Sequence, residues 1–286
     1  MSLPLRTFLL TALAMTAFAA NSVLARLAMV ESETGPWTFT LIRLVSGALM
    51  LALIVSPRQA VRTGSWLSGL ALTVYAGAFS IAYLTLATGT GALILFALVQ
   101  LTMIGWGLVS GERPGPARWI GLAMAFGGLV WLMLPGLDAP PLAGAALMAS
   151  AGIAWGVYSL RGRGGTKPTA STAGNFLRAG IMATAMSLPV FLIAPEATPD
   201  IEGLVYALLS GAVTSGLGYA IWYTALKGLS ASLAGIAQLS VPAIAALGGV
   251  VFLAEPLTPR FLLATALILS GVAIASLLND RRKKAN

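Results

Sequence analysis

Ten apolar stretches follow one another along the chain, each close to the ~20 residues a helix needs to cross a bilayer, with only short breaks between them. Cut by charged residues and by Pro/Gly turns, they run 6–26, 36–55, 66–87, 90–110, 117–134, 141–159, 170–194, 202–225, 231–253 and 259–278. A helix satisfies its backbone polar groups within itself, which is the condition for a segment to lie in lipid. Connections such as 135–140 and 254–259 are short, so spans adjacent in sequence are expected to be neighbours in space. No hydrophilic stretch is long enough for a second, soluble domain. The expectation is an all-α integral membrane protein of ten transmembrane helices.

Charged residues make up 9% of the 286, against about a quarter in a soluble domain, whose surface must meet water. So little charge cannot coat a globular surface, which excludes a soluble enzyme or a DNA-binding domain. The net charge of +8 has the sign of a nucleic-acid binder, but its placement points to a membrane instead. The chain has no Cys and no His. Disulfides, thiolate nucleophiles, the usual general base and the commonest metal ligand are thereby removed, and no metal or cofactor is expected. An apolar run over residues 8–20 behind Arg6 has the look of a signal peptide. It continues from Asn21 to Leu24 and nine more spans follow, so a first transmembrane helix is expected.

With a cytoplasmic N-terminus and alternating helices, 13 of the 17 basic residues fall on the cytoplasmic side, and only Arg26 and Arg260 fall outside. Lys and Arg counts decide orientation, so both termini are expected in the cytoplasm. Arg281-Arg282-Lys283-Lys284 then serves as a topology anchor near anionic lipid rather than a nucleic-acid contact.

The two halves echo one another. Arg26 and Arg43 map onto Arg161 and Arg178 with an offset of 135; Gly105, Glu112 and Gly128 map onto Gly248, Glu255 and Gly271 with an offset of 143. Five helices per half is an odd number, so the second copy enters the membrane from the opposite face. Residues 1–137 and 138–286 are therefore read as two five-helix repeats of inverted topology. Secondary transporters are often built this way, with the substrate site between the halves and alternating access around it.

These features resemble the drug/metabolite transporter superfamily, EamA type, over the whole chain. The resemblance is carried by the two five-helix halves, Trp155-Gly156 in span 6, Arg43 and Arg178 in spans 2 and 7, and the Glu112-Arg113-Pro114 and Glu255-Pro256 ends of spans 4 and 9. Within the superfamily the sequence is most similar to bacterial exporters of aromatic amino acids. One departure is Asn21-Ser22 in span 1, where the second half has Trp155-Gly156. The resemblance implies a multi-pass protein of the bacterial inner membrane. It would act as a monomer that exports aromatic and other neutral amino acids through a central cavity. Planar cations, nucleosides or a channel-like pore are the alternatives.

Candidate path residues are aromatic or amide side chains inside spans. Tyr75, Phe79 and Tyr83 recur four apart and so share one helical face. Tyr219 in span 8, and Trp155 and Tyr158 in span 6, join them as rings for stacking or cation–π contact. Gln100 and Gln238 lie on repeat-related spans and are expected to line a shared path. Pro242 interrupts span 9 as a candidate hinge. Phe79→Ala is expected to cut flux of an aromatic substrate with expression near normal. Arg43 and Arg178 are the charges well inside spans, where charge is costly. Their symmetry favours a gating or structural role; the other reading is that one of them holds a substrate carboxylate. Glu112 and Glu255 fall on opposite sides of the membrane and cannot share a proton, so each is read as stabilising a helix end or loop. With no His, and every acid in a loop or at a helix end, a buried proton relay is not expected.

Overall fold

The computed structural model describes residues 4–111, 115–136, 138–162, 166–229 and 231–283, with 231, 232, 236 and 276–283 as backbone. Glu112, read above as a helix-end acid, lies outside the described residues. The helices are α1 (Leu5–Val30), α2 (Pro36–Val55), α3 (Pro57–Arg62), α4 (Trp66–Ala82), α5 (Thr88–Val109), α6 (Pro116–Met133), α7 (Leu142–Gly162) and α8 (Pro168–Ile193). They continue with α9 (Ile201–Leu208), a π-helical segment Leu209–Leu217, α10 (Gly218–Leu226), α11 (Ala231–Gln238), α12 (Ser240–Leu253) and α13 (Pro259–Lys283). No strand occurs among the described residues.

Among the described residues, eight helices are long and apolar enough to cross a membrane, counting Ile201–Leu226 and Leu233–Leu253 as single runs; Trp66–Ala82 and Pro259–Ala275 are shorter apolar helices. Burial is arranged for lipid. Leu49, Leu53, Trp106, Val109, Phe126 and Leu192 face outward, while Asn21, Thr40, Arg43, Thr73, Ser80, Asn175, Ser210 and Thr214 are buried. Polar groups inside and large apolar groups outside is the pattern a bilayer demands. The chain is an all-α, multi-pass membrane protein.

Local chemistry sets the helix ends. Proline opens α2, α3, α6 and α8, where its missing N–H costs nothing and its φ suits the first turn. Ser65 and Asp200 cap α4 and α9 by accepting from the backbone N–H of Ser68 and Gly203. Two acids cap helices distant in sequence. Glu196 accepts from the N–H groups of Trp37 and Thr38, and Glu255 from that of Thr88. Each places a carboxylate at the positive end of a helix dipole.

Two spans depart from the sequence expectation. The third stops at Ala82 rather than reaching residue 87, because the Arg26 guanidinium takes the Tyr83 and Leu84 carbonyls as acceptors. The ninth breaks at Leu239, between Gln238 and Ser240. Pro242 cannot donate to a carbonyl four residues back and its ring crowds that carbonyl, which is that of Gln238.

α2 packs on α8 and the π segment, α4 on α7 and α8, α5 on α7 and α12, and α1 on α10, the π segment and α12. α6 and α13 run against each other. There a Cβ on Gly271 would stand 2.6 Å from the Gly121 carbonyl oxygen, so the two backbones touch.

Candidate functional site

Seven segments converge on one interior cavity. α1 brings Phe18, Asn21 and Ser22; α2 brings Arg43; α4 brings Tyr75 and Phe79; α5 brings Leu95, Phe96 and Val99. α7 adds Trp155, the π segment Thr214 and Ser215, and α10 Tyr219. The cavity measures ≈ 20 Å³, room for one water and too small for an amino acid.

Its walls are aromatic. Trp155 meets Tyr75 edge-on with ring centroids 4.4 Å apart and stacks on Tyr219 at 5.4 Å. Phe18 lies 5.6 Å from Tyr219 and 6.1 Å from Trp222. Tyr75 leans on Phe79 at 5.4 Å, and Phe79 on Tyr83 at 4.8 Å. The i, i+4 face read from the sequence is thus a continuous ring ladder. Its inner two members, Tyr75 and Phe79, line the cavity, while Tyr83 is buried a turn beyond and donates to the Thr88 carbonyl. Tyr158 stands next to Trp155 and is tied to α8, accepting from Asn175 and donating to Thr172.

Polar groups cross the cavity wall as a network. Ser210 and Thr214 both donate to Asn21 Oδ1, at 2.6 and 3.2 Å. Asn21 Nδ2 and Arg43 Nη2 both donate to the Tyr75 hydroxyl, at 3.4 and 2.7 Å. The Arg43 guanidinium lies 5.0 Å from the Tyr75 ring centre and 4.8 Å from that of Phe79, within cation–π range. Arg43 is 2% exposed.

Of the other expected residues, Trp155 and Tyr219 reach the cavity, but Gln100 and Gln238 do not line it. Gln100 is buried on α5 a turn past Phe96, and Gln238 is half-buried where α11 ends. Pro242 is buried in the first turn of α12. Arg178 is near the opposite end of α4 from Arg26. It donates from Nη1 to the carbonyls of Thr63 (2.6 Å) and Gly174 (2.9 Å), and from Nη2 to that of Val61 (3.3 Å). Sequence reasoning gave Asn21 little weight and passed over Ser210, Thr214 and Phe18. The signal available for Asn21 was an amide in mid-span; for Ser210 and Thr214 the i, i+4 spacing of two hydroxyls was the only one.

Two groups of polar contacts join the helices outside the cavity lining. In one, Arg26 Nε pairs with Glu255 at 3.3 Å and Arg26 Nη1 donates to the Tyr83 carbonyl at 2.7 Å, linking α1 to the segments that follow α4 and α12. A second cavity of ≈ 240 Å³ shares Glu255 with this group and is bordered also by Thr85, Thr90, Asp138 and Thr258. In the other, Arg161 donates to Ser65 and Ser68, and Asn175 accepts from the Ser65 N–H.

Comparison with known proteins gives this architecture a family. The chain is 51% identical over 272 residues to PA1977, an uncharacterized protein of Pseudomonas aeruginosa, covering 94% of each chain. It is 27% identical over 271 residues to an uncharacterized transporter of Bacillus subtilis, YwfM, covering 90% of each. It is 32% identical over 182 residues to the threonine/homoserine exporter RhtA of Escherichia coli, covering 62% of this chain and 59% of RhtA. A solved crystal structure at 23% identity matches 95% of this chain and 99% of its own with a TM-score of 0.68, which makes the fold a shared one. The profile of the EamA-like transporter family matches residues 142–277. With the multi-pass helical fold and these relatives, the chain belongs to the EamA-like transporter family.

Proposed function

We propose that the protein exports neutral amino acids, aromatic ones foremost, from the bacterial cytoplasm by alternating access through the central cavity. The observation that carries this reading is the cavity itself: an interior site walled by Tyr75, Phe79, Trp155 and Tyr219, drawn from residues 1–137 and 138–286 alike. Rings on several sides suit a flat apolar side chain by stacking. A volume of ≈ 20 Å³, too small for an amino acid, supports a contracted step of a transport cycle. The naming of RhtA as a threonine/homoserine exporter supports amino-acid export in the family.

Ten spans, cytoplasmic termini and two inverted five-helix repeats remain part of the proposal. Helix packing supports it. If α1, α2, α4, α5 and α6 are exchanged with α7, α8, the α9–α10 run, the α11–α12 run and α13, the most extensive packing pairs have mates. The pair α4·α7 becomes α10·α1, α5·α7 becomes α12·α1, and α4·α8 becomes the π segment on α2; α2·α8, α5·α12 and α6·α13 map onto themselves. An odd number of spans per half then inverts the second copy.

The test is counterflow in liposomes with phenylalanine, threonine, a nucleoside and a planar cation. Saturable exchange of amino acids is the expected result. Non-saturating conductance would make it a channel, and exchange of the cation or nucleoside alone would reassign the substrate. An imposed pH gradient is expected to change the rate weakly, because Tyr and Arg keep their protons throughout the neutral range and so neither take one up nor release one there. Proton-driven accumulation that is lost in Glu255→Gln would overturn that part.

A further inference from the structure

We infer that Arg43 is the anchor for a carboxylate and makes a carboxylate group, rather than an aromatic ring alone, the feature the transporter requires. The inference rests on the transport reading above and adds to it the charge of the ligand at the cavity.

The argument is a count of donors and acceptors. Arg43 spends only Nη2 on a partner, the Tyr75 hydroxyl; Nε and Nη1 are buried with no partner among the described residues. The Tyr75 oxygen accepts from both Arg43 and Asn21, so its own proton is left to give. The Tyr219 hydroxyl is also buried without a partner. Asn21 Oδ1, the acceptor that could have met these groups, is taken by Ser210 and Thr214. Arg43, Tyr75, Tyr219, Asn21 and Thr214 line the same cavity. A buried group that donates and finds no acceptor is expensive, and here three residues leave donors around a single space. An acceptor-rich ligand fits that surplus.

Charge narrows the ligand further. Every acid whose side chain is described sits in a loop or in the first turn of a helix, and neither member of the ion pair found among the described residues, Arg26 with Glu255, lines the cavity. A guanidinium buried in a membrane interior without a counter-ion calls for one negative charge. Nε and a terminal nitrogen form the fork that matches the two oxygens of a carboxylate. No second Lys or Arg lines the cavity, so a phosphate dianion would arrive with one charge unmatched. A planar cation would add a second positive charge.

Purified protein is titrated with 3-phenylpropionate, 3-phenylpropionamide, phenethylamine and inorganic phosphate, reading the thermal midpoint. The same compounds then compete for labelled phenylalanine counterflow in liposomes. The acid is expected to raise the midpoint and to compete, with the amide and the amine weaker by roughly tenfold to a hundredfold. Arg43→Gln is expected to erase the preference for acid over amide. Equal response to acid and amide in the unaltered protein overturns the inference without need of any variant, and a stronger response to phosphate than to the acid overturns the choice of carboxylate. An Arg43→Gln protein that still prefers the acid also overturns it. Acid binding with no exchange of any amino acid sinks the transport reading and leaves the anchor standing. Exchange in which the amide competes as well as the acid does the reverse.

Discussion

Arg43 and Arg178 occupy corresponding helices of the two halves, and both chains of methylenes carry a guanidinium into the membrane region. Their surroundings differ. Arg178 is surrounded by the carbonyls of Thr63, Gly174 and Val61 and lies over Trp66. It ties the α3–α4 connection to α8 and leaves one nitrogen, Nε, buried without a partner among the described residues, against two for Arg43. Arg43 meets one hydroxyl and two aromatic faces and keeps two nitrogens free. The same residue type is therefore largely partnered on α8 and largely unpartnered on α2. Sequence symmetry finds the pair; only the partners divide the labour.

The largest test of this contrast is to remove each charge. Arg178→Met is expected to lower stability by about 3 kcal/mol or more, since three carbonyls lose charged donors worth about 1.5–3 kcal/mol each, discounted for partial exposure. Exchange per folded molecule should stay within a few-fold. Arg43→Met is expected to do the opposite, raising the thermal midpoint by removing an uncompensated buried charge while exchange falls by about a hundredfold. Matching losses of stability in both variants would erase the distinction.

Phe79→Ala comes next. Phe79 is 0% exposed and lies between Tyr75, Tyr83 and the Arg43 guanidinium. Truncating a buried Phe costs about 3–5 kcal/mol, so reduced expression is expected together with reduced flux. This revises the expectation, formed from helical spacing alone, that expression would be normal. Chemical denaturation in detergent measures it; an unchanged midpoint would put the ring outside the packed core.

Tyr75→Phe keeps the ring and deletes the oxygen that accepts from Arg43 and Asn21. A loss of about tenfold in affinity for the substrate is expected, with Vmax changed less, and competition assays read it. Smallest of all is Gln238→Ala, which should leave exchange within about twofold because the side chain lies off the cavity wall. A large effect there would mean that the path runs along α11.

The aromatic half of the site was legible in the sequence because α-helical periodicity is a strong signal: Tyr75 and Phe79 fall on one face, and Trp155 and Tyr219 were the rings in mid-span. The amides were read less well. Gln100 and Gln238 are repeat-related and polar, yet a polar side chain in a span can settle in packing as readily as in a cavity, and these two did. Asn21, given less weight, became the centre of the network through Ser210 and Thr214. That arrangement depends on the π segment, whose presence no residue pattern announces; Gly211, Gly216 and Gly218 permit close approach but do not specify it. Gly211 sits where any side chain would collide with the Arg43 carbonyl and Ser46, a contact between distant parts of the chain that local sequence does not reveal.

The π segment has a mechanical consequence. Over Leu209–Leu217 the helix is wound more loosely than on either side, so it holds slack that an α-helix lacks. Successive residues of an α-helix are turned by about 100°. Taking up one residue of slack would therefore twist α10 against α9 by a comparable angle. Ser210, ahead of most of the slack, would keep its hold on Asn21, while Tyr219, just behind it, would be carried around the helix axis and away from Trp155. A single slip in hydrogen-bond register would thus remove one wall of the cavity and leave the opposite wall in place, converting winding into opening without bending any helix.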